Sequence, residues 1–239
     1  MAQIIAYRNL IIIGTSHISK YSVENVTEVI SKLKPEIVAI ELDIGRFNSL
    51  TTKKKSSFFE ISRKAGFLSA LFIVLGALLQ SYLGKVTGVE PGSEMLTAIR
   101  EAKKINSKLA LIDQPIEITL QKLNLRFKDV VFIVYDSIAS SIRKIFIKMK
   151  LMKAKENDFM SFDITKVPED QAIEQMLKYL KEKMPKFYKA LIEDRNKVMT
   201  INLIKLMKEN SDKNIVAVMG AGHKDSVIRG VKNYFSKMD

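Results

Sequence analysis

Four short, unbroken apolar runs constrain this chain most: Leu10–Ile13, Ile37–Ile40, Leu109–Ile112 and Ile215–Met219. Each lacks the alternation of a strand with one wet face, so each reads as a strand covered on both sides. Each stops on glycine or a carboxylate: Gly14, Glu41, Asp113 and Gly220. Helical spacing fills the gaps. Ser22 stands as an N-cap before Val23, Val26, Ile30 and Leu33, with Lys34 and Pro35 as the stop. Ser93 is placed to cap a helix carrying Met95, Ile99, Ala102 and Ile105 on one side. A long helix is expected from about Lys186 to Glu209, and a last one carries Val227, Val231 and Tyr234. Strand–helix–strand units of this kind give parallel strands joined by right-handed crossovers. The expectation is an α/β fold with a mainly parallel central sheet and flanking helices. It forms a single domain over residues 1–239 with large helical insertions at about 50–89 and 115–185.

Composition narrows the chemistry. The chain has no cysteine, which excludes disulfides, thiolate metal ligands and a cysteine nucleophile. Its beginning, Met1 to Arg8, lacks the basic and long apolar regions of a secretory signal, so a cytoplasmic location is expected. A net charge of +13 attracts polyanions or an anionic membrane face, but equally describes a lysine-rich solvated surface. No zinc-finger, helix-turn-helix or aromatic RNA-binding signature accompanies it, so nucleic acid is not the expected partner. Ala65 to Leu79 is apolar throughout, at about 15 residues shorter than the roughly 20 of a spanning helix. It reads as a buried helix, with a homodimer interface or a membrane-surface contact as alternatives. Arg143 to Lys155 is basic and amphipathic; a helix lying on the core with its lysines in water is the first reading, membrane association the second.

The chemistry concentrates at the strand ends. The chain's two histidines each close a Gly-x-x-His motif after a buried strand: Gly14-Thr15-Ser16-His17 and Gly220-Ala221-Gly222-His223. Ligands of open parallel sheets bind at the carboxyl ends of the strands, where glycine permits a sharp turn and close backbone approach. Imidazole there can ligate a metal or move a proton near neutral pH. Glu41, with Asp43 close behind, and Asp113 end the other two strands. Two histidines with carboxylates form a nitrogen–oxygen donor set suited to Mn, Fe, Co or Zn, which would acidify a bound water toward neutrality. Each acid would serve equally as a loop cap. Glu94 lies in the first turn of its helix, as a catalytic general base or as a charge that favours the helix dipole. Arg195 falls on the stripe Ile192, Met199, Leu203, Leu206, where a buried guanidinium demands a carboxylate or a substrate anion. Arg46 is a similar candidate or an exposed loop charge.

These residues sit in segments that resemble the TraB family: residues 14–46, 91–113, 193–199 and 215–223, in the expected order. More distantly the chain is similar to the Tiki metalloproteases and erythromycin-esterase-like proteins. The resemblance implies that fold and a metal-dependent peptidase or hydrolase linked to pheromone shutdown. It implies His17, His223 and Glu41 at a divalent metal (Mn, Co or Zn), with Glu94, Asp113 and Arg195 as the surrounding polar residues. It implies a peptide as substrate or ligand; a non-catalytic, membrane-associated peptide-binding role is the alternative. The sequence departs from the family pattern at Asp113-Gln114, where relatives often carry Asp-Arg. Many archaeal-type relatives also continue into C-terminal membrane segments, whereas this sequence ends at Asp239.

Overall fold

The computed structural model describes residues 3–15, 20–52, 92–123, 174, 177–178 and 180–238. The insertion segments 53–91 and 124–173, with the apolar run 65–79 and the basic stretch 143–155, lie outside the described residues, as does His17.

A five-stranded sheet has the order β1-β2-β5-β3-β4. Its strands are β1 (Gln3–Tyr7), β2 (Leu10–Thr15), β3 (Ile37–Ile40), β4 (Lys108–Leu111) and β5 (Ile215–Gly220). The apolar runs form β2 to β5, and every pairing among these four is parallel. The last strand in sequence thus inserts between β2 and β3. Strand β1 was not expected. It pairs antiparallel with β2 through a two-residue turn, Arg8-Asn9, with Arg8 at φ 52. The turn carries no glycine, which hid the hairpin from the sequence. The Asn9 side chain anchors it by donating to the carbonyls of Asn210 and Lys213, each at 2.9 Å.

The described α-helices are α1 (Lys20–Leu33), α2 (Ile44–Thr52), α3 (Ser93–Lys104), α4 (Ile116–Leu123), α5 (Pro185–Tyr188), α6 (Asp194–Glu209) and α7 (Ala221–Phe235). A π-helical segment, Lys189–Glu193, joins α5 to α6 where one long helix was expected. Helices α1 and α3 cover one face of the sheet: Val26, Ile30, Met95 and Ile99 pack against Ile13, Val38, Ile40 and Val218. Helices α6 and α7 cover the other: Met199, Leu203, Val227 and Val231 pack against Ile12, Ala39, Ala217 and Met219. Alternate residues of β5 enter opposite cores, so the strand is buried along its whole length. No described helix is long and apolar enough to cross a membrane.

Neither expected serine cap is one. Helix α1 begins at Lys20, leaving Ser22 inside its first turn. Helix α3 begins at Ser93 itself, and its N-cap is Gly92 at φ 80, where a β-carbon would be strained. Both helices start earlier than the serines suggested because packing of an apolar face, not capping alone, sets the boundary.

Helices α6 and α7 approach closely at Gly230, where an added β-carbon would lie 2.8 Å from Thr200 Cγ2. Gly230→Ala is expected to lower stability by about 1–3 kcal/mol in urea denaturation. Adding Thr200→Ala, which removes the colliding atoms, is expected to restore most of the loss.

Candidate functional site

Helices that follow parallel strands return antiparallel to them, so α1 and α3 start, and β2, β3, β4 and β5 end, at one edge of the sheet. Glu41 follows β3 directly and Asp113 lies two residues past β4. His223 is the third residue of α7, just after β5. Arg195 and Asn196 enter from the start of α6.

The centre is the Arg195 guanidinium. Its Nη2 donates to Asp113 Oδ2 at 2.7 Å and to Glu41 Oε1. Its Nε lies 3.2 and 3.1 Å from Asp113 Oδ1 and Oδ2, and its Nη1 lies 3.3 Å from both the Leu191 carbonyl and His223 Nε2. The side chains of Arg195, Glu41 and Asp113 are 14%, 7% and 0% exposed. Burial opposes the charged guanidinium, but the Glu41 and Asp113 carboxylates outweigh it and hold its pKa above the ordinary arginine value. The expectation of a carboxylate partner for Arg195 therefore holds, although the buried stripe of α6 is Asn196, Met199, Leu203 and Met207, with Arg195 at its flank.

Glu41 uses both carboxylate oxygens. Oε2 accepts the Gly220 backbone N–H at 2.6 Å, and Oε1, besides Arg195, lies 3.4 Å from His223 Nε2. The second Gly-x-x-His motif thus meets the carboxylate of β3 through its first and last residues. Asp113 accepts from Arg195, from Arg46 Nη2 and from the Gln114 N–H at 2.8 Å. Arg46 also bonds Asp43 Oδ2 at 2.6 Å, while Asp43 Oδ1 accepts the backbone N–H groups of Gly45 and Arg46. Arg46 is a half-buried member of the network, not an exposed loop charge. Glu94 is buried in the first turn of α3 at the same edge, 1% exposed.

Two further residues belong here that the sequence did not single out, Asn196 and Lys224, and Gln114, noted as a departure from the family pattern, has a structural place beside them. Asn196 accepts from His223 Nδ1 at 2.7 Å. An amide oxygen only accepts, so Nδ1 carries a proton and Nε2 is the ring nitrogen that faces Arg195 Nη1 and Glu41 Oε1. Gln114 is buried and donates to Thr119 Oγ1 at 2.7 Å, so it braces the loop into α4 instead of facing a ligand. Lys224, next to His223, is buried, and its stem crosses Gly14. Gly14 is required by that crossing, not by a turn: Gly92 is the one positive-φ glycine among the described residues, and Gly220 has φ −59.

The donors fit a divalent cation in type. His223 offers Nε2 with Nδ1 held by an amide oxygen, the arrangement usual for metal-ligating histidine. Glu41 Oε1 stands beside it. Arg195 shares both atoms, and among the described residues no group of three His, Asp or Glu is arranged to hold a metal ion.

Comparison with known proteins points one way. The sequence profile of the TraB/PrgY/gumN family matches residues 6–234. An uncharacterized protein of Methanocaldococcus jannaschii is 34% identical over 228 residues, covering 94% of this chain and 53% of that protein. A TraB domain-containing protein of Mus musculus is 22% identical over 207 residues, 80% of this chain and 51% of its own length. The chain spans about half the length of the curated relatives it matches.

Removing the central cation should expose its structural weight. Arg195→Gln is expected to lower stability by about 3–5 kcal/mol at neutral pH, because two buried carboxylates lose their shared partner. Urea titrations of the two chains at neutral pH measure the difference.

Proposed function

The chain belongs to the TraB/PrgY/gumN family, and from that premise we propose that it hydrolyses amide bonds of peptides at the carboxyl edge of its sheet. The supporting observation is the convergence of Glu41, Asp113 and His223 on Arg195, from four segments spread over the sequence. The proposal takes in the erythromycin-esterase/Tiki-like arrangement that the resemblance implies. It also takes in a divalent cation (Mn, Co or Zn) held by His223, Glu41 and His17. Such a cation supplies a water acidified toward neutrality.

The side chains supply the rest. Asn196 fixes the tautomer of His223, so Nε2 faces the pocket. Arg195 spends its N–H donors on Asp113, Glu41, the Leu191 carbonyl and His223, so it orients these groups and lends a fixed positive charge that favours negative charge developing nearby. Asp113 accepts from two arginines and a backbone N–H, and is in this reading an orienting group instead of a base. Glu94 is the remaining carboxylate of the expected set and takes the role of proton acceptor. Arg46 holds Asp43 and Asp113 in place.

One observation favours a second reading, a peptide-binding protein without chemistry. Arg195 already bonds Glu41 Oε1 and lies against His223 Nε2, the two atoms a metal would need.

Titration of chelator-free protein with Mn, Co or Zn, followed by mass spectrometry of a peptide mixture, separates the two. The hydrolytic reading expects near-stoichiometric metal and cleavage that His223→Ala and Glu41→Gln abolish. Peptide binding without metal or cleavage would establish the second reading. Asn196→Ala removes the support of His223 and is expected to cost about 10- to 100-fold in metal affinity or kcat, with KM little changed.

A further inference from the structure

Lys224 is a buried cation that the proposed chemistry does not use. It is 4% exposed, and its ammonium donates to Asp225 Oδ1 at 2.9 Å, a carboxylate whose own side chain is 66% exposed. A lysine in the first turn of a helix also opposes the helix dipole, so α7 gives it no help. An ammonium offers three donors, and burying one costs free energy unless its charge is met. Yet the fold makes room for it: Gly14 has no side chain, and a β-carbon there would lie 2.9 Å from Lys224 Cδ and 3.3 Å from Cε. The stem is therefore laid across the carboxyl end of β2.

Sheet order gives this position a meaning. The ends of β2, β5, β3 and β4 stand in a row, bearing Lys224 over Gly14, then His223, Glu41 and Asp113. Neighbouring strands lie about 4.8 Å apart, so the end of β2 is about 10 Å from that of β3. An extended peptide rises about 3.3 Å per residue, so that gap corresponds to roughly three residues. We infer that Lys224 anchors a carboxylate of the peptide substrate, within about three residues of the bond presented to His223 and Glu41. The inference rests on the peptide-hydrolase reading for its substrate class, but the anchor itself is a matter of binding. The carboxylate has two sources, the free C-terminus or an acidic side chain, and the recognition chemistry is the same for both.

Three probes read the anchor by calorimetry: tetra-alanine as the free acid, its C-terminal amide, and the amide with one alanine replaced by glutamate. The wild-type chain is expected to bind one or both carboxylate peptides roughly ten- to a hundredfold tighter than the plain amide. Preference for the free acid alone identifies the C-terminus as the source; equal preference for the glutamate peptide identifies a carboxylate from either source. Lys224→Met should erase the preference. Gly14→Ala should erase it without touching a charge, by displacing the lysine stem. The double variant should bind no worse than Lys224→Met alone. The inference is overturned if the wild-type chain shows no carboxylate preference, if Lys224→Met keeps it, or if Gly14→Ala weakens binding further in the Lys224→Met background. Carboxylate preference without cleavage supports the anchor and counts against the hydrolase. Cleavage without that preference does the reverse.

Discussion

The site is organised by one guanidinium shared between two buried carboxylates. Glu41 and Asp113 come from adjacent strand ends, and neither is exposed enough for water to satisfy it. A buried carboxylate without a partner is costly, and two of them side by side repel. Arg195 resolves both problems from the helix layer, reaching over the sheet edge to bond each. The same contact ties α6 to β3 and β4 at the end where ladder hydrogen bonds run out. Asn202 adds a second tie one layer below, donating to the Ile112 carbonyl at 2.8 Å. Fold and site therefore share their stabilising interactions, and a change to the charge balance acts on both.

The two Gly-x-x-His motifs look alike in sequence but their glycines do different physical work. Gly220 caps α7 in an ordinary backbone conformation and spends its N–H on Glu41. Gly14 sits inside β2, paired with Met219, and leaves space for the stem of Lys224. A repeated motif thus marks a repeated position, the end of a buried strand, and not a repeated mechanism. Each glycine is needed by what approaches it.

The strands of the core were legible because parallel strands buried on both faces leave unbroken apolar runs, as β2, β3 and β5 did; β4 left one too, although it is an edge strand with no fully buried residue. Their common carboxyl edge followed from topology, and with it the meeting of Glu41, Asp113 and His223. Arg195 was legible because a guanidinium near an apolar stripe demands a partner. What the sequence concealed was whatever depends on a close neighbour in space. Asn196 next to Arg195 carries no signal until His223 Nδ1 is found against it. Lys224 reads as one more of many lysines until its burial over Gly14 is seen. Strand β1 was hidden because an edge strand such as Gln3–Tyr7 is partly wet and its turn uses arginine and asparagine.

The delivery of Arg195 and Asn196 to one pocket needs an explanation beyond periodicity. Successive residues of an α-helix point about 100° apart, so two neighbours rarely serve the same point. Here the long arginine side chain reaches the carboxylates while the short asparagine meets the histidine ring. Immediately before them the helix widens into the π-helical turn Lys189–Glu193, packed on α4 through Phe187, Ala190, Leu120 and Leu123. A π-turn disrupts the regular hydrogen-bond ladder, and such turns cluster where a helix must redirect side chains for function. The Leu191 carbonyl within it accepts from Arg195 Nη1 itself, so the irregular turn also holds the guanidinium it precedes. The π-turn thus lies one residue before the pair it serves: it packs on α4 on one side and holds the Arg195 guanidinium on the other, so the helix enters the site anchored at both its backbone and its long side chain.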